Sequence, residues 1–263
     1  MDVPHPLACV DTQSKSPSYS CMIAQFPNLS SFPDDGIAVV IGASGGIGHA
    51  SVDALRASGR FKIVHALSRR SNPPIDITDE TSIQAAVEWV QADDLPIRLV
   101  LDCTGFLHDR DHGGPEKSYR RLDPAHMAHA FAVNAIGPAM MMKHILPLLP
   151  RTGKAAFATL SAKVGSITDN HFGGWYSYRA SKAALNQLVR TAAIELSRRQ
   201  GETLCVAIHP GTTDTALSEP FSKTGLTVRS SAETATRLLN VIDRLESADS
   251  GGFFNHDGTP LPW

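Results

Sequence analysis

Two residues with acid–base chemistry stand four positions apart in a helix-forming run that begins at Trp175. Tyr178 carries a phenol and Lys182 carries an ammonium group. Residues at positions i and i+4 of a helix lie on the same face, one turn apart. A cation beside a phenol favours the phenolate, so the pair predicts a pKa for Tyr178 below its usual value of about 10. Such a phenol could exchange a proton with a carbonyl or hydroxyl oxygen. The same spacing also occurs by chance on surface helices, so the pair needs support from other residues.

A glycine-rich turn follows the apolar run at residues 37–41, which is typical of a strand buried on both faces. Glycines let the backbone approach a pyrophosphate closely, and the free N–H groups of a helix N-terminus attract its charge. The turn therefore predicts a dinucleotide site, and the alternative is a βα turn with a purely structural role. The predicted contacts are Gly42, Ser44, Gly45, Gly46, Ile47 and Gly48.

Two arginines follow the second apolar run, about 20 residues beyond the glycines, where NAD-binding folds place an acidic residue for the ribose 2′-hydroxyl. Here the positions are Ser68, Arg69 and Arg70. A guanidinium group suits a 2′-phosphate, which a carboxylate would repel. The sequence therefore predicts NADP(H) in preference to NAD(H). Two solvated arginines in a loop are the alternative interpretation.

Apolar runs alternate with helical segments along the chain, which predicts an α/β fold with a single doubly wound Rossmann-type domain. We expect a seven-stranded, mostly parallel sheet with helices on both faces and with ligands at the carboxyl ends of the strands. A long helix is predicted from Asp123-Pro124 toward residue 149, with a kink at Gly137-Pro138. The domain is predicted to span residues 36–263, and the Ser- and Pro-rich residues 1–35 are predicted to form a poorly ordered extension. The predicted strands are residues 37–41, 62–67, 74–78, 97–103, 155–160, 203–208 and 252–255.

Composition argues against several classes of partner. The net charge is −2 without a basic block, which disfavours nucleic acid and anionic membranes. No apolar run reaches the roughly 20 residues that span a bilayer. The four cysteines form no close-spaced pair, so we expect a reducing, cytoplasmic location. No metal is predicted, because no pattern of cysteines or carboxylates completes a site with His108, His112, His126 or His129.

Further residues, in the same order, make the chain resemble the short-chain dehydrogenase/reductase family over about residues 36–263. The glycine turn matches the cofactor loop of that family. The resemblance implies that Asn134 and Ser161 act with Tyr178 and Lys182 as a catalytic tetrad. It also implies cofactor contacts at Asp76, Ile77, Gly105, Tyr178, Lys182, Pro210, Gly211, Thr213 and Thr215.

More narrowly, residues 115–118, 134–138, 209–215 and 257–263 are similar to the C-factor-like branch, whose members resemble small carbonyl reductases. The chain also departs from the family pattern. Ile41 precedes the first glycine where threonine is usual, and residues 103–105 read Cys-Thr-Gly where Asn-Ala-Gly is usual. The interval from Ser161 to Tyr178 is longer than usual, and its additional residues lie beside the expected substrate pocket.

The resemblance implies reduction of a ketone or aldehyde to an alcohol with NADPH, or the reverse, with Tyr178 as general acid or base. Lys182 would lower the pKa of Tyr178 and hold the nicotinamide ribose, and Asn134 would hold a water for proton relay. A small-molecule substrate and assembly as a homodimer or homotetramer are implied as well. The alternative is an NADP-binding regulator with little turnover. A nucleotide-sugar dehydratase or epimerase is disfavoured, because such relatives usually carry a separate C-terminal substrate region.

Overall fold

A six-stranded parallel sheet forms the centre of the computed structural model, which describes residues 27–198, 201–219 and 225–263. The strands found in these residues are β1 (Ile37–Ile41), β2 (Ile63–Leu67), β3 (Ile97–Asp102), β4 (Ala155–Leu160), β5 (Thr203–His209), β6 (Thr212–Thr213), β7 (Val228–Arg229) and β8 (Phe253–Asn255). The order in the sheet is β2-β1-β3-β4-β5-β8, and β6 pairs with β7 in a separate ribbon. Each pairing is parallel, so the carboxyl ends of the six strands meet at one edge.

Helices cover both faces of this sheet, namely α1 (Gly46–Ser58), α2 (Glu80–Gln91), α3 (Pro124–Phe131), α4 (Gly137–Ile145), α5 (Tyr176–Ser197) and α6 (Ser231–Arg244). One apolar core contains Leu55 of α1 and Leu239 of α6. The other contains Ile83 of α2, Met141 of α4 and Leu185 of α5. Successive residues of β1 alternate between the two cores, which explains why its sequence is apolar throughout. The predicted doubly wound α/β fold is confirmed. No helix in the described residues is long and apolar enough to cross a membrane.

The sheet has one strand fewer than predicted, because residues 74–78 do not pair with it. Pro73 and Pro74 offer no N–H group to a strand ladder. The N–H group of Asp76 donates to Ser82 Oγ at 2.8 Å, and that of Thr78 donates to Asp76 Oδ1 at 2.9 Å. Side chains thus take the donors that a neighbouring strand would have used, and the segment runs as an irregular loop.

Part of the predicted N-terminal extension belongs to the packed structure. Leu29 and Phe32 are fully buried and join the core beneath α1 and α6. The Arg60 side chain donates to the carbonyl oxygens of Phe32 at 2.6 Å and Ser30 at 3.0 Å. The packed region therefore starts before residue 36. Residues 1–26, the larger part of the predicted extension, lie outside the described residues.

The long helix predicted from residue 123 is interrupted. Asp123 caps α3 with its side chain and Pro124 is the first helical residue, as predicted. Ala132–Ile136 then form one π-helical turn before α4 begins. Pro138 has no N–H group to offer the carbonyl of Asn134, four residues before it, and this favours the wider turn. Such turns are frequent at functional sites, and this one carries Asn134.

We expect Gly48→Ala to destabilise the domain. A Cβ atom at position 48 would lie 2.3 Å from the carbonyl oxygen of Gly42, so the turn between β1 and α1 would have to open. Overpacking of this kind costs roughly 1–3 kcal/mol, which urea unfolding would measure. Gly114→Ala is the control, since a Cβ there meets no atom of the described residues within 4 Å. Equal stability of the two variants would contradict the expectation.

Candidate functional site

A cleft of about 370 Å³ lies at the carboxyl ends of β1, β2 and β3. Its lining includes eight of the residues predicted to contact a dinucleotide, namely Gly42, Ser44, Gly45, Ser68, Arg69, Asp76, Ile77 and Gly105. Ten other lining residues were not predicted as cofactor contacts, among them Phe106, His108, Asp109 and His129. The remaining predicted contacts lie outside this lining, namely Gly46, Ile47, Gly48, Arg70, Tyr178, Lys182, Pro210, Gly211, Thr213 and Thr215.

The turn at Gly42 fits a pyrophosphate in shape and in charge. Gly42 has a φ of +78°, and a Cβ atom there would lie 3.0 Å from the carbonyl carbon of Cys103. The residue before α1 is Gly45, so no side chain at that position caps the first N–H groups of the helix. A Cβ on Gly46 would lie 3.1 Å from Thr215 Cγ2, which places Thr215 beside the start of α1. A bare turn with uncapped helical N–H groups is a suitable phosphate site.

The two arginines after β2 occupy different positions. Arg69 is exposed and lines the cleft, whereas Arg70 is exposed outside its lining. Ser68 is buried, and its Oγ accepts the N–H group of Arg70 at 3.1 Å. Across the same cleft, hydrogen bonds from the main chain and the hydroxyl of Thr78 lower the pKa of Asp76. Arg69 is thus the guanidinium placed to meet an anionic group in the cleft.

Asn134 connects the segment after β3 with the start of α5. Its Oδ1 accepts the N–H group of Phe106 at 2.7 Å, and its Nδ2 donates to the Phe106 carbonyl at 2.8 Å. The same Nδ2 lies 3.0 Å from Ser181 Oγ, and this hydroxyl donates to the carbonyl of Tyr178 at 2.9 Å. A chain of hydrogen bonds therefore joins Asn134 to the turn of α5 that carries Tyr178.

Lys182 is buried and points toward the end of β4. Its Nζ donates to the carbonyl oxygen of Leu160 at 2.8 Å. A Cβ atom built on Gly105 would lie 3.9 Å from Lys182 Nζ and 3.8 Å from Asn134 Oδ1, so ammonium and amide converge at Gly105. Burial lowers the pKa of Lys182 to about 8, and the nearby carboxylate of Asp102 opposes that shift.

Ser161 stands directly after β4 and is held by Asn186 of α5. Ser161 Oγ lies 2.6 Å from Asn186 Oδ1, while the buried Nδ2 of Asn186 has no partner among the described residues. Amide oxygen and nitrogen occupy similar volumes, and the orientation is decided by the hydrogen bonds. With Nδ2 toward Ser161, the buried amide donor is satisfied and the hydroxyl hydrogen of Ser161 is free to donate to a ligand.

Tyr178 is half-buried, and its ring meets that of Trp175 edge to face with centroids 6.1 Å apart. Burial raises the pKa of Tyr178 to about 12, which is opposite to the predicted direction. The prediction considered only the charge of Lys182, whereas that ammonium donates to Leu160 and the desolvation of the phenolate causes the observed shift. Without a bound ligand, Tyr178 is therefore a protonated phenol at neutral pH.

Three buried polar residues around the site were not predicted. Asp102 accepts a hydrogen bond from Thr159 Oγ1 at 2.7 Å, and its burial raises its pKa. Asn186 holds Ser161, and Glu116 contacts the first turn of α5. For Asp102 the sequence did contain a signal, because a carboxylate within the apolar run at residues 97–103 is unusual and indicates a buried polar contact. Sequence offered no sign of what Glu116 would contact, because its partner lies far along the chain.

Asp109, His112 and His129 meet beside the cleft, with potential ligand atoms within 4.8 Å of one another. The rings of His112 and His129 stack with centroids 3.8 Å apart, and His112 Nδ1 lies 3.0 Å from both carboxylate oxygens of Asp109. Two of the histidines that the sequence analysis considered and rejected as metal ligands thus lie beside a carboxylate. The absence of a metal stays a prediction.

Comparison with known proteins agrees with this geometry. A family model described as Enoyl-(Acyl carrier protein) reductase matches residues 36–257. The C-signal protein of Myxococcus xanthus is 36% identical over 142 residues, which cover 54% of this chain and 81% of the relative. The 1-hydroxy-2-glutathionyl-2-methyl-3-butene dehydrogenase of Rhodococcus sp. (strain AD45) is 28% identical over 234 residues, which cover 86% of this chain and 98% of the relative.

Solved structures share the fold along nearly the whole described chain. The NADPH-bound carbonyl reductase from chicken fatty liver has a TM-score of 0.76 and 26% identity, covering 88% of this chain and 100% of that one. The carbonyl reductase Sniffer of D. melanogaster has a TM-score of 0.73 and 23% identity, covering 87% and 99%, and supports the fold alone. The chain therefore belongs to the short-chain dehydrogenase/reductase family and is an NAD(P)-dependent enzyme that resembles carbonyl reductases.

Proposed function

We propose that this enzyme uses NADP(H) to reduce a ketone or aldehyde to an alcohol, or catalyses the reverse reaction, with Tyr178 as general acid or base. The observation that carries the proposal is the hydrogen-bonded array in which Asn134, Ser161 and Lys182 are held around the first turns of α5. The similarity to a protein described as an NADPH-bound carbonyl reductase supports the same class of reaction.

The residues of the cleft fit a nicotinamide dinucleotide. The glycine turn and the uncapped start of α1 would hold the pyrophosphate. Arg69 would hold the 2′-phosphate, which favours NADP(H) over NAD(H), and Asp76 and Ile77 would lie beside the adenine. When bound, the reduced cofactor supplies the hydride. Lys182 and Asn134, which converge at Gly105, would hold a ribose hydroxyl and a water there.

The side chains at the end of β4 and the start of α5 would handle the proton. Ser161 and Tyr178 would donate hydrogen bonds to the carbonyl oxygen of the substrate. Negative charge developing on that oxygen makes it more basic than the phenolate, so Tyr178 can transfer its proton to it. Lys182 carries a positive charge below about pH 8 and favours the resulting phenolate. Asn134 would hold the water through which the proton of Tyr178 is restored.

The 36% sequence identity to the C-signal protein supports a second candidate function, that of a nucleotide-binding regulator with little turnover. The two functions separate in one assay. NADPH absorbance would be followed with a panel of aldehydes, ketones and quinones. Steady oxidation with any of them supports the enzyme, and tight NADPH binding without turnover on the whole panel supports the regulator.

Tyr178→Phe is expected to abolish turnover while NADPH binding stays largely intact. General acid–base catalysis contributes typically about 10²–10⁴-fold to the rate, and phenylalanine keeps the ring while removing the proton. Activity and NADPH affinity would be measured on the same preparation. Tyr176→Phe, a substitution two residues earlier at a more exposed tyrosine, should change neither. Retained activity in Tyr178→Phe would end the assignment.

Arg69→Ala is expected to weaken NADPH binding by roughly tenfold or more, since a hydrogen bond to a charged group contributes about 1.5–3 kcal/mol. The affinity for NADH, which has no 2′-phosphate, should fall much less. Fluorescence titration with both cofactors measures the difference. Arg70→Ala should have a smaller effect, because Arg70 lies outside the cleft lining. Equal losses for NADPH and NADH would show that the cofactor preference has another origin.

The rate of reduction is expected to fall above about pH 8. Burial lowers the pKa of Lys182 to about 8 and raises that of Tyr178 to about 12. As pH rises, Lys182 therefore loses its charge first, while Tyr178 keeps the proton that it must donate. Values of kcat/KM at saturating NADPH, from about pH 6 to about pH 10, would test this. A profile that stays level across that range would assign no role to the charge of Lys182.

A further inference from the structure

Helix α5, which carries Tyr178 and Lys182, starts without a side-chain cap of its own. Its N-cap residue is Trp175, in the left-handed region with a φ of 53° and with no side-chain hydrogen bond to the first turn. The first N–H groups of a helix have no partner inside the helix and need one from elsewhere. In α5 these groups lie immediately before Tyr178, so whatever binds them also orients the phenol.

Glu116 supplies that partner from the segment between β3 and α3. Its side chain is 5% exposed. Oε2 accepts the N–H group of Ser177 at 3.1 Å, and Oε1 accepts a short hydrogen bond from Ser177 Oγ. The carbonyl oxygen of Glu116 accepts the N–H group of Trp175 at 2.5 Å. Glu116, 61 positions before Ser177 in sequence, thus binds the main-chain N–H groups of Trp175 and Ser177, on either side of Tyr176, and also the hydroxyl of Ser177.

The charge of Glu116 suits this position. Burial raises the pKa of its carboxyl group, but the hydrogen bonds from Ser177 and the nearby His126 outweigh burial and hold the pKa below its ordinary value. The carboxylate is therefore ionised at neutral pH. The N-terminus of a helix carries partial positive charge, and a carboxylate there is stabilising.

The same segment is bound at its other end to a second residue of the site. The main-chain N–H and carbonyl groups of Phe106 both form hydrogen bonds with the side-chain amide of Asn134. Residues 106–116 therefore link the π-helical turn that carries Asn134 with the first turn of α5. Arg179, the residue after Tyr178, donates to the carbonyl oxygens of Val164, Gly173 and Gly174. The first turn of α5 is thus held by hydrogen bonds of both Glu116 and Arg179.

We propose that Glu116 is a positioning residue for Tyr178, which acts by capping α5 from a distant segment and thereby fixes the phenol relative to Ser161 and Asn134. The inference rests on the proposed role of Tyr178 as proton donor. It predicts that the loss of Glu116 lowers kcat by misplacing the phenol, because a displacement of about 1 Å can cost on the order of a hundredfold in rate. The cofactor cleft, whose lining does not include Glu116, should keep its affinity.

The test compares Glu116→Ala, Glu116→Gln and Ser177→Ala in the full chain. Glu116→Ala should lose roughly ten- to a hundredfold in kcat, with the Kd for NADPH unchanged within about twofold. Glutamine can accept the Ser177 N–H with its oxygen and donate to the Ser177 hydroxyl with its nitrogen, so Glu116→Gln should stay within about threefold of the unchanged protein. In a protein that already carries Ser177→Ala, the Glu116→Ala substitution should lower kcat by a smaller factor than it does in the unchanged protein. The reason is that the two side chains share one interaction.

A readout independent of activity accompanies the kinetics. Hydrogen exchange of the peptide spanning residues 175–180 should accelerate in Glu116→Ala and stay near normal in Glu116→Gln. The matched control is Asp79→Ala, which removes the cap that accepts the N–H group of Thr81 at the start of α2. That variant should lose stability, as Glu116→Ala does, but keep kcat and the exchange rate of this peptide.

Two outcomes would overturn the inference. The first is a kcat of Glu116→Ala close to that of Asp79→Ala, measured while Tyr178→Phe is inactive. This result would reject the role of Glu116 and leave the proposed function standing. The other is unchanged exchange at residues 175–180 in Glu116→Ala. An active Tyr178→Phe variant would instead reject the proposed function, and the exchange data would still report on the cap. Should Glu116→Ala fail to fold, Glu116→Gln and Ser177→Ala carry the same comparison.

Discussion

The buried ammonium of Lys182 donates to the main-chain carbonyl of Leu160, and the arrangement of the site depends on this hydrogen bond. A buried cation without a partner is costly, so the ammonium has a strong preference for this position. The contact ties α5 to the carboxyl end of β4, one residue before Ser161. It thereby places Tyr178, one helical turn earlier, at the edge where the strands of the parallel sheet end. The pKa of Lys182 near 8 reflects the opposition between burial and the carboxylate of Asp102.

A second set of contacts acts from the segment between β3 and α3. Asn134 holds this segment at Phe106 and Glu116 holds the start of α5, so the segment joins the two elements that carry the site. Buried polar networks of this kind are costly when a member is lost, because the remaining donors and acceptors stay without partners. The π-helical turn at Ala132–Ile136, which Pro138 favours, serves the same arrangement, since Asn134 reaches the segment from it.

Local sequence was sufficient wherever an interaction partner lies close along the chain. The start of α3 followed from a capping residue, Asp123, with a proline directly after it. Sequence was insufficient where distant groups compete. Residues 74–78 have the composition of a strand, but Ser82 and the side chain of Asp76 take their donors. Leu29 looked like part of a loose tail because nothing nearby in sequence shows the pocket between α1 and α6 that it fills.

The amino-acid sequence by itself determined the α/β class, the glycine turn, the pair Tyr178 and Lys182, and membership of a family, because each depends on residue types at short, regular spacings. Tertiary structure alone decided the pKa of Tyr178, the difference between Arg69 and Arg70, and the contact of Glu116 with helix α5. These properties depend on burial and on contacts between residues far apart in the chain. A carboxylate 61 positions before its partner leaves no periodic signal in sequence, and the free energy of a charge is set by the surroundings that folding assembles.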